Sequence, residues 1–157
     1  MDPRCQVSVQ REDFDAGAPL AVSGGAASGA VVSFVGIARD FSGDFAVEDI
    51  TLEHYPGMTE RSLQDIGEQA LRRWDLQQVR IIHRYGRLRP GERIVLVATW
   101  ATHRDAAFDA CRFIIDVLKT EAPFWKRETG RSGSRWVEAR HSDERSREAW
   151  NPADGDP

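Results

Sequence analysis

The segment His103–Lys126, HRDAAFDACRFIIDVLKTEAPFWK, concentrates the residues best suited to chemistry. A His103-Arg104 pair precedes an apolar helical pattern. Lys119 stands at the end of that pattern, and Lys126 follows Pro123-Phe124-Trp125. Cations gathered in an otherwise acidic chain suit an anionic ligand, and first-turn N–H groups of the helix would add to the pull of His103 and Arg104. A rigid helix end and a Pro-Phe-Trp turn would hold the two amines at short separation. Adjacent charge and partial burial lower a lysine's proton affinity and give a nucleophile or a proton-transfer group. Each residue alone also has a plainer reading. His103 can pack locally and Arg104 can face solvent; Lys119 can compensate the helix dipole, and Lys126 can stack on Trp125. Arg39 and Arg140 are further cations able to close such a site, although spacing alone does not bring them there.

Other chemistries find less support. The four histidines form neither HExxH nor a Cys/His cluster, so no metal site is expected. No GxSxG occurs. Glu53 and His54 are neighbours on a strand and face opposite ways. The five tryptophans are scattered without a basic stripe. A net charge of -4 and a pI near 5.6 argue against a nucleic-acid partner. Cys5 and Cys111 do not form a CxxC pair, and Cys111 falls in the helical phase of Ala107, Ile114 and Leu118 as a small buried hydrophobe. No secretory signal or membrane-spanning run is visible, so a cytoplasmic, reducing setting is the expectation.

The 157 residues, 41% apolar and 29% charged, suit one domain with a full core. Val7 and Val9 alternate as in a short strand, and Gly24–Gly29 reads as a linker because no Lys-Ser/Thr follows it. Ala30–Arg39 reads as an interior strand with Gly36 marking a bulge, and residues 40–44 as an exposed loop. Val47–Tyr55 alternates as a half-buried strand. Thr59 is the expected N-cap of a helix that places Leu63, Ile66, Ala70 and Trp74 on one face, with Gly67 allowing close approach. Val79–Tyr85 and Glu92–Ala101 read as an antiparallel pair joined through a turn at Leu88–Gly91. The helix of about Arg104–Lys119 carries a core stripe of Ala107, Cys111, Ile114 and Leu118, widened by Phe108 and Ile115. Pro123 ends it. Arg135–Arg140 is a candidate last strand. The chain lacks a regular βαβ rhythm, so the class is α+β: a single catalytic domain over 1–140 and a tail over 141–157 expected to fray.

With these pieces in place, the chain resembles the large, catalytic subunit family of molybdopterin synthase. The resemblance rests on VSFVGIAR (32–39), LEHYPGM (52–58), IIHRYGRLRPGE (81–92), HRDAAF (103–108), FIIDVLKTEAPFWKRE (113–128) and RWVEAR (135–140), in family order. It implies an α/β-hammerhead fold with additional antiparallel strands, and a homodimer within a heterotetramer. Each copy would bind a small ubiquitin-like sulfur-carrier subunit whose Gly-Gly C-terminus ends in a thiocarboxylate. The implied substrate is cyclic pyranopterin monophosphate, which receives two sulfurs in succession to give the dithiolene of molybdopterin. No permanently bound cofactor, nucleic acid or membrane is implied.

By the same resemblance, Lys119 is the leading acid/base or transient nucleophilic group, and Lys126 a second catalytic or orienting group. Arg39, His103, Arg104 and Arg140 supply cations for the substrate phosphate and pterin, part of them from a neighbouring subunit. Ile37, Ala38, Arg127 and Glu128 flank the pocket. Ile115 and Ile37 stand where some relatives carry methionine and lysine. The residues themselves also allow a non-catalytic module that only receives a partner's tail.

Overall fold

Two open sheets divide the work of the chain, one building the main core and the other one side of a cavity. The computed structural model describes residues 1–131, 133–137 and 141–150, apart from the side chains of 141–144. The first sheet contains β1 (Cys5–Gln10), β2 (Ala30–Ile37), β6 (Gln78–Arg84) and β8 (Arg93–Ala101) in the order β1-β6-β8-β2. β1 runs parallel to β6, and the other pairs are antiparallel. The second has the order β10-β9-β5-β7, from β5 (Asp49–His54), β7 (Gly86–Leu88), β9 (Phe124–Gly130) and β10 (Gly133–Val137). The short strands β3 (Phe41–Ser42) and β4 (Phe45–Ala46) pair as a hairpin. The α+β class expected from the sequence is what the chain adopts.

Period-two alternation gives the first sheet two apolar faces. Val79, Ile81, Val95 and Val97 pack beneath α1 (Met58–Arg73) and α2 (Arg104–Glu121). The helices contribute Leu63, Ile66, Ala70, Ala107, Cys111, Ile114 and Leu118 to this core. Gly67 lets α1 approach β1, since a Cβ there would collide with Cys5 Sγ. Ile82, Leu96, Ala98 and Trp100 face the other way, where Phe14 covers them. Trp100 Nε1 donates to the Val22 carbonyl at 2.9 Å, which ties the small-residue linker down. The bulge expected at Gly36 is present as a register shift between Gly36 and Ile37.

Several expectations are corrected. α1 starts at Met58 with Gly57 as its N-cap, where φ is +84°. The Glu60 carboxylate accepts the Gly57 N–H at 2.6 Å, so the cap comes from inside the helix rather than from Thr59. Thr59 is instead fully buried: its Oγ1 accepts the Tyr55 N–H and donates to the Pro123 carbonyl, both at 3.1 Å. Phe108 is 61% exposed, and the α2 stripe widens through Ala110, Phe113 and Val117. Residues 41–46 form a hairpin where a loop was expected, and the link between β6 and β8 contributes β7 to the second sheet. Phe124–Gly130, read as a turn and loop, is a strand. The last strand is Gly133–Val137, so Glu138–Arg140 of the expected Arg135–Arg140 strand lie outside the described residues. Beyond it, His141–Glu148 forms α3. Trp150 stacks edge-on against Trp74 and Phe113 and donates to Asp116 at 2.8 Å, so this part of the expected tail is anchored on α2.

The Thr59 hydroxyl joins the start of α1 to the turn after α2. Thr59→Val keeps the shape and strands two backbone groups, at a cost of about 2 kcal/mol. Urea unfolding should show that loss; unchanged stability would mean that the hydroxyl carries no structural load.

Candidate functional site

The cavity lies where the first sheet, the end of α2 and the second sheet meet. Strand register determines which side chains enter it. On β5 and β9, Ile50 opposes Glu128, Leu52 opposes Lys126, and His54 opposes Phe124. Opposed residues of an antiparallel pair share a face. Ile50 and Leu52 belong to the buried cluster under the second sheet, so Lys126 and Glu128 point inward with them. β10 adds Val137 beside Lys126 and Arg135 beside Glu128. Lys119 reaches the same space from the last turn of α2, and Ile37, Ala38 and Arg39 from the end of β2. These walls enclose about 490 Å³. A more open depression of about 740 Å³, lined by Arg39, Asp44, Phe45 and Arg135, adjoins it through Arg39.

Buried charge inside the site is neutralised. Glu128 is 2% exposed and accepts from Arg135 Nη2 at 3.1 Å and Nε at 3.3 Å. Arg135 Nη2 also donates to the Ser42 carbonyl at 3.0 Å, and the guanidinium lies 4.4 Å from the Phe45 ring centroid. This arginine therefore fastens the β3–β4 hairpin to the second sheet while it pairs with the buried Glu128 carboxylate. Arg39 and Lys119 are exposed at the cavity, and Lys126 is half-buried.

Six of the expected site residues thus meet: Ile37, Ala38, Arg39, Lys119, Lys126 and Glu128. Three do not. Arg127 lies on the opposite face of β9, 5.8 Å from the Trp136 ring centroid. His103 and Arg104 are exposed at the start of α2, with His103 as its N-cap residue. At about 1.5 Å per helical residue, Arg104 is on the order of 22 Å from Lys119 along the axis. Arg140 lies outside the described residues. No cluster able to hold a metal ion occurs among the described residues, and none of their helices is long and apolar enough to cross a membrane.

One ionisable residue of the lining escaped the sequence reading. His83 is 6% exposed and belongs to the cavity lining. Its ring stacks on Phe124 with centroids 3.8 Å apart and planes at 19°, and Nδ1–H donates to the Arg84 carbonyl at 2.8 Å. The signal was its phase: it follows Val79 and Ile81 on the buried face of its strand. Burial holds its pKa down to about 4, while the hydrogen bond to Arg84 opposes that shift and the charges of Lys119 and His54 add to it. The imidazole is therefore neutral at pH 7.

Comparison with known proteins agrees with this architecture. The family described as "MoaE protein" matches residues 9–121. A molybdopterin synthase catalytic subunit of Ralstonia nicotianae is 51% identical over 146 residues, covering 92% of this chain and 83% of that protein. The molybdopterin biosynthesis MoaE protein of Burkholderia ambifaria superposes with a TM-score of 0.79 at 46% identity, covering 93% and 97% of the two chains. A complex of subunits 1 and 2 of molybdopterin-converting factor from Helicobacter pylori shares the fold at 17% identity, with a TM-score of 0.70 and coverage of 85% and 91%. Fold and sequence together define a biosynthetic enzyme subunit of the molybdenum cofactor route. The chain belongs to the MoaE family of molybdopterin synthase catalytic subunits.

The buried His83 makes stability depend on pH. Its folded pKa of about 4 lies below the ordinary 6.5, so the unfolded chain binds the extra proton first as pH falls. Stability is full above the ordinary value and declines through the window down to the folded value, by about 3 kcal/mol in all. Urea unfolding at several pH values should show this slope, and His83→Phe should remove that part of it. An identical slope in the variant would place the effect elsewhere.

Proposed function

We propose that this catalytic subunit converts cyclic pyranopterin monophosphate to molybdopterin, taking two sulfurs in succession from the C-terminal thiocarboxylate of a small ubiquitin-like carrier subunit. The observation that carries the reading is the convergence of Lys119, Lys126 and Arg39 on one cavity although they come from a helix end, a strand and a loop. The cavity's size falls in the range of small-molecule sites, and its mixture of apolar walls and a few directed cations suits a ring system bearing a phosphate. Arg39 borders the adjoining open depression, which gives a peptide tail a route towards the lysines.

The chemistry assigned to these groups follows from charge. The thiocarboxylate brings its own nucleophilic sulfur, and cations stabilise both that anion and the substrate phosphate. The thiocarboxylate sulfur attacks a side-chain carbon of the pterin as a C–O bond there breaks and the departing oxygen takes up a proton; water then cleaves the acyl–sulfur bond, leaving a carboxylate on the carrier and a thiol on the substrate. Lys119 serves proton transfer or a transient covalent step, and Lys126 orients the substrate or shares in the chemistry. No permanently bound cofactor enters this scheme. A two-subunit complex in a protein of the same fold supports the carrier as partner.

The separation of His103 and Arg104 from Lys119 supports a homodimer in which a second copy supplies the pair. The exposed Trp125 and Trp136 on the outer face of β9–β10 give this protomer apolar surface of the kind that assemblies cover. A heterotetramer of two catalytic and two carrier subunits is the assembly in this reading.

Purified protein mixed with thiocarboxylated carrier and cyclic pterin substrate should form dithiolene product; no product from folded protein and competent carrier would sink the reading. Lys119→Ala should lower turnover about 100-fold or more with the fold intact. Arg39→Ala should chiefly weaken substrate binding, and Lys126→Ala should slow the chemistry or misplace the substrate. Mixing and reassembling Lys119→Ala with Arg104→Ala should restore activity, because a mixed dimer contains one site with both groups intact. Failure to restore it, with mixed dimers demonstrated, would reject a second copy as the source of Arg104.

A further inference from the structure

His83 has a place in the cavity that the scheme above leaves unused. It comes from β6, at the end nearest the α2 terminus, and lies on the same sheet face as Val79 and Ile81. Two contacts fix its ring. The Phe124 stack sets the plane, and the Nδ1–H bond to the Arg84 carbonyl sets the rotation about that plane. A carbonyl only accepts, so Nδ1 holds the proton of the neutral ring and Nε2 carries the lone pair. The remaining ionisable groups of the described lining are Arg39, Lys119, Lys126 and Glu128. Arg39, Lys119 and Lys126 can only donate when protonated, and Glu128 is engaged by Arg135. His54 lies further along the second sheet, tilted at 37° against the Tyr85 ring, with its Nε2 3.8 Å from a Glu60 oxygen.

We propose that His83 is a positioning residue for Lys119: its fixed Nε2 lone pair accepts a hydrogen bond from the lysine ammonium in the occupied site and aims that group at the substrate. Lysine is a long, rotatable donor and loses much conformational freedom when held in one geometry. A rigid acceptor sets the direction in advance, which matters for a group that must meet one reacting atom. The acceptor has to be neutral. A carboxylate here would pair with the amine and remove positive charge from the anion site, whereas an imidazolium would repel it and offer no lone pair. Burial and the neighbouring lysine both keep the ring in the required form. The order of the chain supports this pairing as well, since Phe124 both carries the stack and follows the proline that ends the Lys119 helix.

This inference rests on the proposed sulfur-transfer reading, so the test has one arm that uses turnover and one that does not. In the first, His83→Asn keeps a donor near Nδ1 and loses the acceptor at Nε2, while His83→Gln keeps an acceptor near Nε2. Assayed with thiocarboxylated carrier and cyclic pterin, His83→Asn should lose about tenfold or more in kcat with KM changed less than about threefold. His83→Gln should recover most of kcat. Equal rates for His83→Asn and wild type, or a His83→Gln variant as slow as His83→Asn, would overturn the role. In the second arm, the titration of His83 is followed by NMR in histidine-labelled protein. Lys119→Met should move its midpoint upwards by about half a unit or more, because a facing positive charge is gone. An unmoved midpoint would show that the two groups do not sense each other and would overturn the proposal. Absence of turnover in wild type would sink the sulfur-transfer reading alone and leave the titration to decide the pairing.

Discussion

The turn at Pro123 is the constraint on which the cavity depends. Proline has no N–H to continue α2, and its ring disfavours helix at Ala122, whose ψ is 130°. The chain therefore leaves the helix within a few residues of Lys119 and enters β9 at Phe124. Thr59 holds the Pro123 carbonyl from α1, and Phe124 stacks on His83 of the first sheet. One short segment is thus tied to both helices and both sheets. The distance between the two lysines is set by this junction, because neither a helix end nor a strand could fix it alone.

Much of this framework was legible in the sequence, because periodicity reports burial. The alternation in β8 and the stripe Ala107–Cys111–Ile114–Leu118 in α2 are direct readings of which atoms avoid water. The convergence of Lys119 and Lys126 followed from a helix stop with a rigid turn behind it. β9 was missed because FWKRETG runs two adjacent aromatics into three consecutive charges, which shows no apolar alternation and looks solvated when taken alone. Its inward charges are tolerated because Lys126 faces a cavity and Glu128 has Arg135. The orientation of Arg127 depends on the same strand, since alternation along β9 turns it away from the face that Lys126 and Glu128 share. The place of His103 and Arg104 at the start of α2 was legible, and with it their distance from Lys119 at the other end of the same helix. α3 was missed because HSDERSRE is almost entirely polar, and what holds this region is largely Trp150 beyond it.

An acidic protein can still present a positive site when its acids are placed or paired elsewhere. Glu128 is the acidic group in the cavity lining, and its charge is already shared with Arg135. The potential at Arg39, Lys119 and Lys126 is then set by the cations, over apolar walls that screen them poorly. The neutral His83 fits the same logic, since it adds polarity to the floor without changing the sign of the field.

The proposed sulfur transfer is also constrained by what the protein's own sulfurs cannot do. Cys5 and Cys111 are both buried in the main core, and burial pushes each thiol up to about 12. At neutral pH the thiolate fraction is on the order of one in 100,000. In the proposed reaction the carrier's thiocarboxylate brings the attacking sulfur, so neither core cysteine is needed as a sulfur relay. The described cavity lining contains no cysteine, and its cations are two amines and a guanidinium. In the proposed reaction the incoming tail is then the one strong sulfur nucleophile near the lysines, and positioning it becomes the main task of the fold.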